Sequence, residues 1–199
     1  MKRTLYLSMV CLLSAFSAVG QIGLRGLNPI EKQKLQLPEL PASQSRVTLL
    51  RSSENVDYTQ GVFILNEDWF GHNNSTINFM TSSGDFAYRI FQTANPGKEL
   101  GCTSQFGTIF GDNMFITSKQ PKDGGASIEG GRLNVVDAKT MKVKAQFTDI
   151  GGGDGRAFLG VNDSVGYIGA SNGIFLFDIK NLTVGDQLKG ASNSGGLYN

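Results

Sequence analysis

His72 is the only histidine of the chain, and Trp69, three residues earlier, is the only tryptophan. A serine hydrolase triad has to recruit that imidazole, but no G-x-S-x-G elbow is present to hold a nucleophile. A zinc site has to take its other ligands from carboxylates or Cys102, and no ligand pair sits at the usual spacing. Glu67 and Asp68 are adjacent, so in a strand they point to opposite sides and do not form the facing carboxylate pair of a glycosidase. The run Gly151-Gly152-Gly153-Asp154-Gly155-Arg156 is glycine-rich like a phosphate loop. It leads into a strand pattern (Ala157 to Val161) without a Gly-Lys-Ser/Thr, which makes it a turn between sheets. Arg156 is nevertheless placed to reach an anionic ligand. The remaining candidate is Trp69-Phe70-Gly71-His72-Asn73-Asn74. An aromatic pair on a loop either anchors a ligand or folds back over a sheet edge as core, and both readings are open at this stage.

These residues assign no catalytic group, metal or cofactor, and they favour a binding protein over an enzyme. Composition narrows the field further. Glycine accounts for 26 of 199 residues, nearly twice the usual ~7%, as a meander of short strands with many tight turns requires. Residues 1–20 read as a signal peptide: Lys2 and Arg3, an apolar run from Leu5 to Phe16, and the small-residue site Ala18-Val19-Gly20. Without Lys2 and Arg3 the basic residues fall from 18 to 16, against 17 acidic, a net charge of −1. No field of that size attracts nucleic acid or an anionic membrane. An exported protein is expected, periplasmic, at the cell surface or secreted, with no membrane insertion after cleavage. Cys102 is then the one remaining cysteine and reads as a small buried residue.

The elements that carry the candidate loop repeat along the chain. Phe63 in VFIL is followed at equal spacings of 52 residues by Phe115 in MFIT and Tyr167 in GYIG, a period typical of propeller blades. The segment 135–143 overlays 176–184 at an offset of 41, and both β-rich runs end in Asp, Asp137 and Asp178. A carboxylate there accepts hydrogen bonds from turn amides two residues on, a structural role. From Phe63 to Phe79 is 16 residues, from Phe115 to Val135 is 20, and from Tyr167 to Leu176 is 9. One connection therefore varies while the strands hold, as on the binding face of a repeat protein. Further strands are expected over Ile77–Thr81, Phe86–Gln92 and Phe106–Phe110. Thr93–Thr103 and Lys119–Gly131 are expected to be connections. Residues 21–57 read as a poorly ordered linker or arm, in which Arg46–Leu50 is either one outer strand or disordered.

The stretches GYIGASNGIFLFDIKNLTVGDQL and RLNVVDAKTMKVKAQF resemble the YVTN/YncE-type β-propeller repeat. Residues 58–190 resemble more closely a propeller family of exported Bacteroidetes proteins of unknown function, carried by GVFILNEDWFGHNNSTINFM and NPGKELGCTSQFGTIFGDNMFITSKQ. Similar surface propellers include cobalamin-capturing lipoproteins. The resemblance implies an all-β fold of about three blades over residues 58–199, a partial or truncated propeller exposing the faces that further blades would cover. It implies a corrinoid as the leading ligand, beside a glycan or an envelope or transporter protein as partner. The expected contact set is Trp69, Phe70, His72 and Asn74 from the first variable loop, Lys119 and Gln120 from the second, and Asn172 from the third. The alternatives are a scaffold for protein–protein contacts and part of a propeller hydrolase or lyase.

Overall fold

The computed structural model of the chain describes residues 56–69, 72–126 and 128–191. The expected signal peptide, the strand or arm at Arg46–Leu50, and Phe70 lie outside the described residues. Among those described, eleven strands form three antiparallel sheets, with one short helix. The first sheet orders β1 (Gly61–Asn66), β2 (Thr76–Thr81) and β3 (Phe86–Ala87). The second orders β4 (Cys102–Phe110), β5 (Asn113–Gln120), β6 (Leu133–Asp137) and β7 (Val143–Phe147). The third orders β8 (Gly155–Gly160), β9 (Val165–Ala170), β10 (Gly173–Asp178) and β11 (Thr183–Gln187). This is an all-β, propeller-like succession of meanders.

The repeat seen in the sequence is the register of these sheets. Phe63 pairs with Phe79, Phe115 with Val135 and Tyr167 with Leu176. The three spacings noted above are thus the chain lengths between facing residues of equivalent strand pairs. Alternation along each strand then fixes two cores. Phe63, Leu65, Ile77 and Phe79 pack with Met114, Ile116 and Val136 between the first and second sheets. Phe115, Leu133 and Val135 pack with Phe158, Ile168, Phe175 and Phe177 between the second and third. Phe63 and Leu65 are partly buried, and each fully buried side chain among the others contributes about 1.5–3 kcal/mol of transfer free energy. Residues of opposite parity on the two end sheets are exposed: Val62 and its register partner Met80, and Leu159 in register with Tyr167 and Leu176.

Two expectations are corrected. The strand over Phe86–Gln92 stops at Ala87, because Arg89 takes a left-handed φ of 49° and helix α1 (Ile90–Ala94) follows. Ile90 and Phe91 are buried in the first core from that helix, so a short apolar run was helical where its composition fitted a strand equally well. The connection expected from Lys119 begins only at Pro121. Lys119 and Gln120 are the half-buried last residues of β5, and Gln120 pairs with Cys102.

The hairpin turns after β6 and β10 are built alike. Asp137 accepts from the amides of Lys139 and Thr140, both at 3.0 Å. Asp178 accepts from the amide of Asn181 at 2.9 Å and its side chain at 2.7 Å. The fifth residue of each turn, Met141 (φ 59°) or Leu182 (φ 51°), is left-handed. Both aspartates are therefore turn caps, as their spacing suggested.

Candidate functional site

In an antiparallel meander the connections alternate between the two ends of the sheets. The connections after β1, β5 and β9 emerge at one end, together with those joining β3 to β4 and β7 to β8. This is the end of variable loop length. Asn74 stitches it together. Its amide donates to the Leu100 carbonyl at 2.9 Å and the Ile128 carbonyl at 2.8 Å, tying three connections into one floor. Beneath it the Ser75 hydroxyl donates to the Glu67 carbonyl and accepts from the Ser104 amide at 2.8 Å. The Ser104 and Ser118 hydroxyls share a hydrogen bond of 2.6 Å. Each of these three buried serine hydroxyls thus has a partner.

On this floor lies a cavity of about 210 Å3 lined by Asp68, Asn73, Asn74, Arg89, Glu99 and Gly125. Asp68 follows β1 in a left-handed conformation (φ 61°), which Asp tolerates better than most residues. Its carboxylate accepts from the Thr76 hydroxyl at 2.7 Å. Arg89 is also left-handed, held by its amide to the Asn78 side chain at 2.9 Å. Its guanidinium meets Glu99 at 3.2 Å, and Glu99 accepts in addition from Gln92 at 2.7 Å.

Beside the cavity the same loop carries the aromatic pair. Trp69 remains 66% exposed, and its ring stacks on His72 with centroids 3.8 Å apart and planes inclined by 27°. The main chain is folded tightly there, since the His72 and Asn73 amides both donate to the Trp69 carbonyl. Trp69 therefore does not fold back as core.

The other expected contacts, Lys119, Gln120, Arg156 and Asn172, do not line this cavity. The Asn172 side-chain amide donates to the Gly151 carbonyl at 2.7 Å, and its main-chain carbonyl accepts from the Gln187 side chain. Arg156 lies in β8 and pairs with Asp154 at 3.2 Å. The glycine run before it is a turn between sheets. Gly151 and Gly152 have φ of 90° and 83°, and the Gly152 amide is already bound to the Asp149 carboxylate at 2.7 Å. Glu67 accepts from Gln105 at 2.5 Å, away from Asp68's bond to Thr76. Arg89 was missed in the sequence because it adjoins a helix read as strand, and Glu99 because nothing in its connection marked it. Asp68 and Asn73 sit in the loop that was singled out, and only their placement marks them.

Cys102 is fully buried, and burial, with the Asp123 carboxylate beside it, pushes its thiol up to about 11 despite a hydrogen bond from the Asp123 amide. Such a thiol is not a nucleophile at neutral pH. Among the described residues no group of three His, Cys, Asp or Glu side chains is placed to hold a metal ion, and no helix is long and apolar enough to cross a membrane. No curated protein matches the chain. A family model does, over residues 60–198 and hence across all three sheets: the chain belongs to the family described as domain of unknown function DUF5074.

Proposed function

We propose that this protein is an exported binding module that captures a small ligand at the cell envelope, on the end of the sheets where the loops vary. The Trp69–His72 stack carries this reading. An indole that stays 66% exposed forgoes most of the transfer free energy its area could yield. Its stacking on His72 fixes one orientation before any ligand arrives, which lowers the ordering cost of binding. The neighbouring cavity adds convergent polar groups, the usual partners of an aromatic contact in a small-molecule site.

The envelope location rests on the N-terminal signal pattern. The resemblance to YncE-type propellers and to the cobalamin-capturing surface propellers of Bacteroidetes makes a corrinoid the first ligand to test. A corrin ring is too broad for a cavity of 210 Å3, so it would lie flat across the stack. Calorimetry of the full chain with cyanocobalamin, beside a Trp69→Ala variant, tests this. Binding by the parent that weakens at least tenfold in the variant is expected. Equal binding by both would remove the loop from the site, and no heat with either would remove the corrinoid.

A second reading, a scaffold for protein contacts, draws on the apolar residues exposed on the end sheets, Val62, Met80, Leu159 and Leu176. Light scattering after size exclusion distinguishes it, because a scaffold face that associates raises the mass with concentration.

A further inference from the structure

The cavity beside the stack has a chemistry of its own. Its volume of about 210 Å3 equals about seven liquid waters at ~30 Å3 each. That is room for one six-membered sugar ring and its hydroxyls. Its lining mixes donors and acceptors on fixed positions. Asp68 spends one carboxylate oxygen on Thr76 and keeps lone pairs for a ligand. Asn74 spends both amide hydrogens on Leu100 and Ile128, so its carbonyl oxygen is an acceptor already locked in place. Arg89 engages Glu99 through one terminal nitrogen, leaving further N–H groups of its rigid fork.

Charge narrows the class. Arg89 and Glu99 neutralise each other at 3.2 Å, and Asp68 adds one negative charge. That net negative charge turns away an anion, and an ammonium, which only donates, leaves the N–H groups of Arg89 without an acceptor. A neutral vicinal diol meets no like charge. Each hydroxyl both donates and accepts, so adjacent hydroxyls can bridge Asp68 or Asn74 to Arg89 and Asn73. The loop whose ends are Asp68 and Asn73 also presents Trp69, a flat apolar surface suited to the C–H face of a pyranose.

We infer that this cavity is a subsite for a single neutral pyranose, a terminal sugar of a larger glycan or glycoconjugate. The inference rests on the binding-module reading and deepens it. The test is saturation-transfer NMR and calorimetry on the full chain with the methyl glycosides of glucose, galactose and mannose, beside glucosamine and N-acetylneuraminic acid as cationic and anionic probes. At least one neutral glycoside should bind saturably. Its affinity should fall about tenfold or more in Asp68→Asn, which removes the charged acceptor, and about threefold to tenfold in Asn73→Ala, the loss of one neutral hydrogen bond, with unchanged circular dichroism. Asn keeps the left-handed backbone accessible, and Asn73 is exposed, so neither variant should unfold. Neutral sugars bound equally by the parent and both variants would overturn the cavity assignment, and tighter binding of either charged sugar would overturn the neutral class. If no sugar binds while cyanocobalamin does, the subsite fails and the binding module stands. Silence from every probe overturns both.

Discussion

Replacing Phe115 by Ala tests the stacking of the sheets most sharply. Phe115 is fully buried on β5, stacked face to face on Phe158 with ring centroids 3.7 Å apart and planes 5° from parallel. Phe177 meets it edge-on at 5.9 Å. Truncation removes both ring contacts and opens a hole between two sheets that are held elsewhere along their length, so collapse is limited. The expected cost is about 3–5 kcal/mol, a large share of the ~5–15 kcal/mol that a domain has in total. Leu176→Ala is the control. It stands in register with Tyr167, the repeat equivalent of Phe115, but on a face that leaves Leu176 37% exposed. Solvent fills the space it leaves, and the cost should stay near 1 kcal/mol or less. Urea titration followed by far-UV circular dichroism reads both, with an unchanged slope for each variant. Equal losses in the two variants would refute the reasoning, because they would mean that the outer face of the third sheet is covered in solution.

The turn cap at Asp137 carries a pH signature. Burial raises its pKa, but hydrogen bonds from Lys144, Thr140 and the Lys139 amide outweigh it and hold the carboxyl below its ordinary value of 3.8. Its contribution is therefore complete above pH 3.8 and lost as pH falls through the lower folded value, so Asp137→Asn should lower stability at pH 7 in urea melts, flatten the acid limb of the stability curve and converge with the parent below that folded value. The turn between the second and third sheets should be intolerant of a side chain at one position. A Cβ on Gly151 meets the Phe175 ring at 2.2 Å on a backbone with φ of 90°, whereas one on Gly152 meets only the Asn172 amide at 3.9 Å. Thermal denaturation should place Gly151→Ala about 2–4 kcal/mol below the parent and Gly152→Ala within about 2.

Much of the sheet architecture was readable because a sheet converts spacing into contact. Three residues at spacings of 52 imply nothing by themselves, but Phe63, Phe115 and Tyr167 sit opposite Phe79, Val135 and Leu176, and the last two begin the overlaid segments. Alternation then dictates which side chains meet. The Asp caps were readable for the same reason, since their role is satisfied within five residues of chain. What failed was local ambiguity and long-range convergence. Arg89 ends a strand by its own φ, and Ile90-Phe91 fits either period. The cavity was not readable because its walls come from three connections, brought together by Asn74 through carbonyls 26 and 54 residues away. Asn74 itself had been expected to touch ligand. Its two donors hold the floor on which the other groups stand, and its side-chain carbonyl oxygen is left to accept from a ligand.

The distribution of backbone strain separates the two ends of the molecule. Among the described residues five non-glycine positions have positive φ: Asp68, Arg89, Thr103, Met141 and Leu182. Each costs on the order of 1–3 kcal/mol. Met141 and Leu182 occupy the same place in repeated turns, and both side chains pack against a core, Met141 with no exposure at all. Burial offsets their strain, and the arrangement recurs because the turn requires it. Asp68 and Arg89 are different. They occupy no repeated place, their side chains stand on the cavity, and polar contacts hold them: Thr76 to Asp68, the Arg89 amide to Asn78 and the Arg89 guanidinium to Glu99. Neither has the burial that offsets the strain at Met141 and Leu182, and the ligand proposed above, by using both side chains, would supply that compensation.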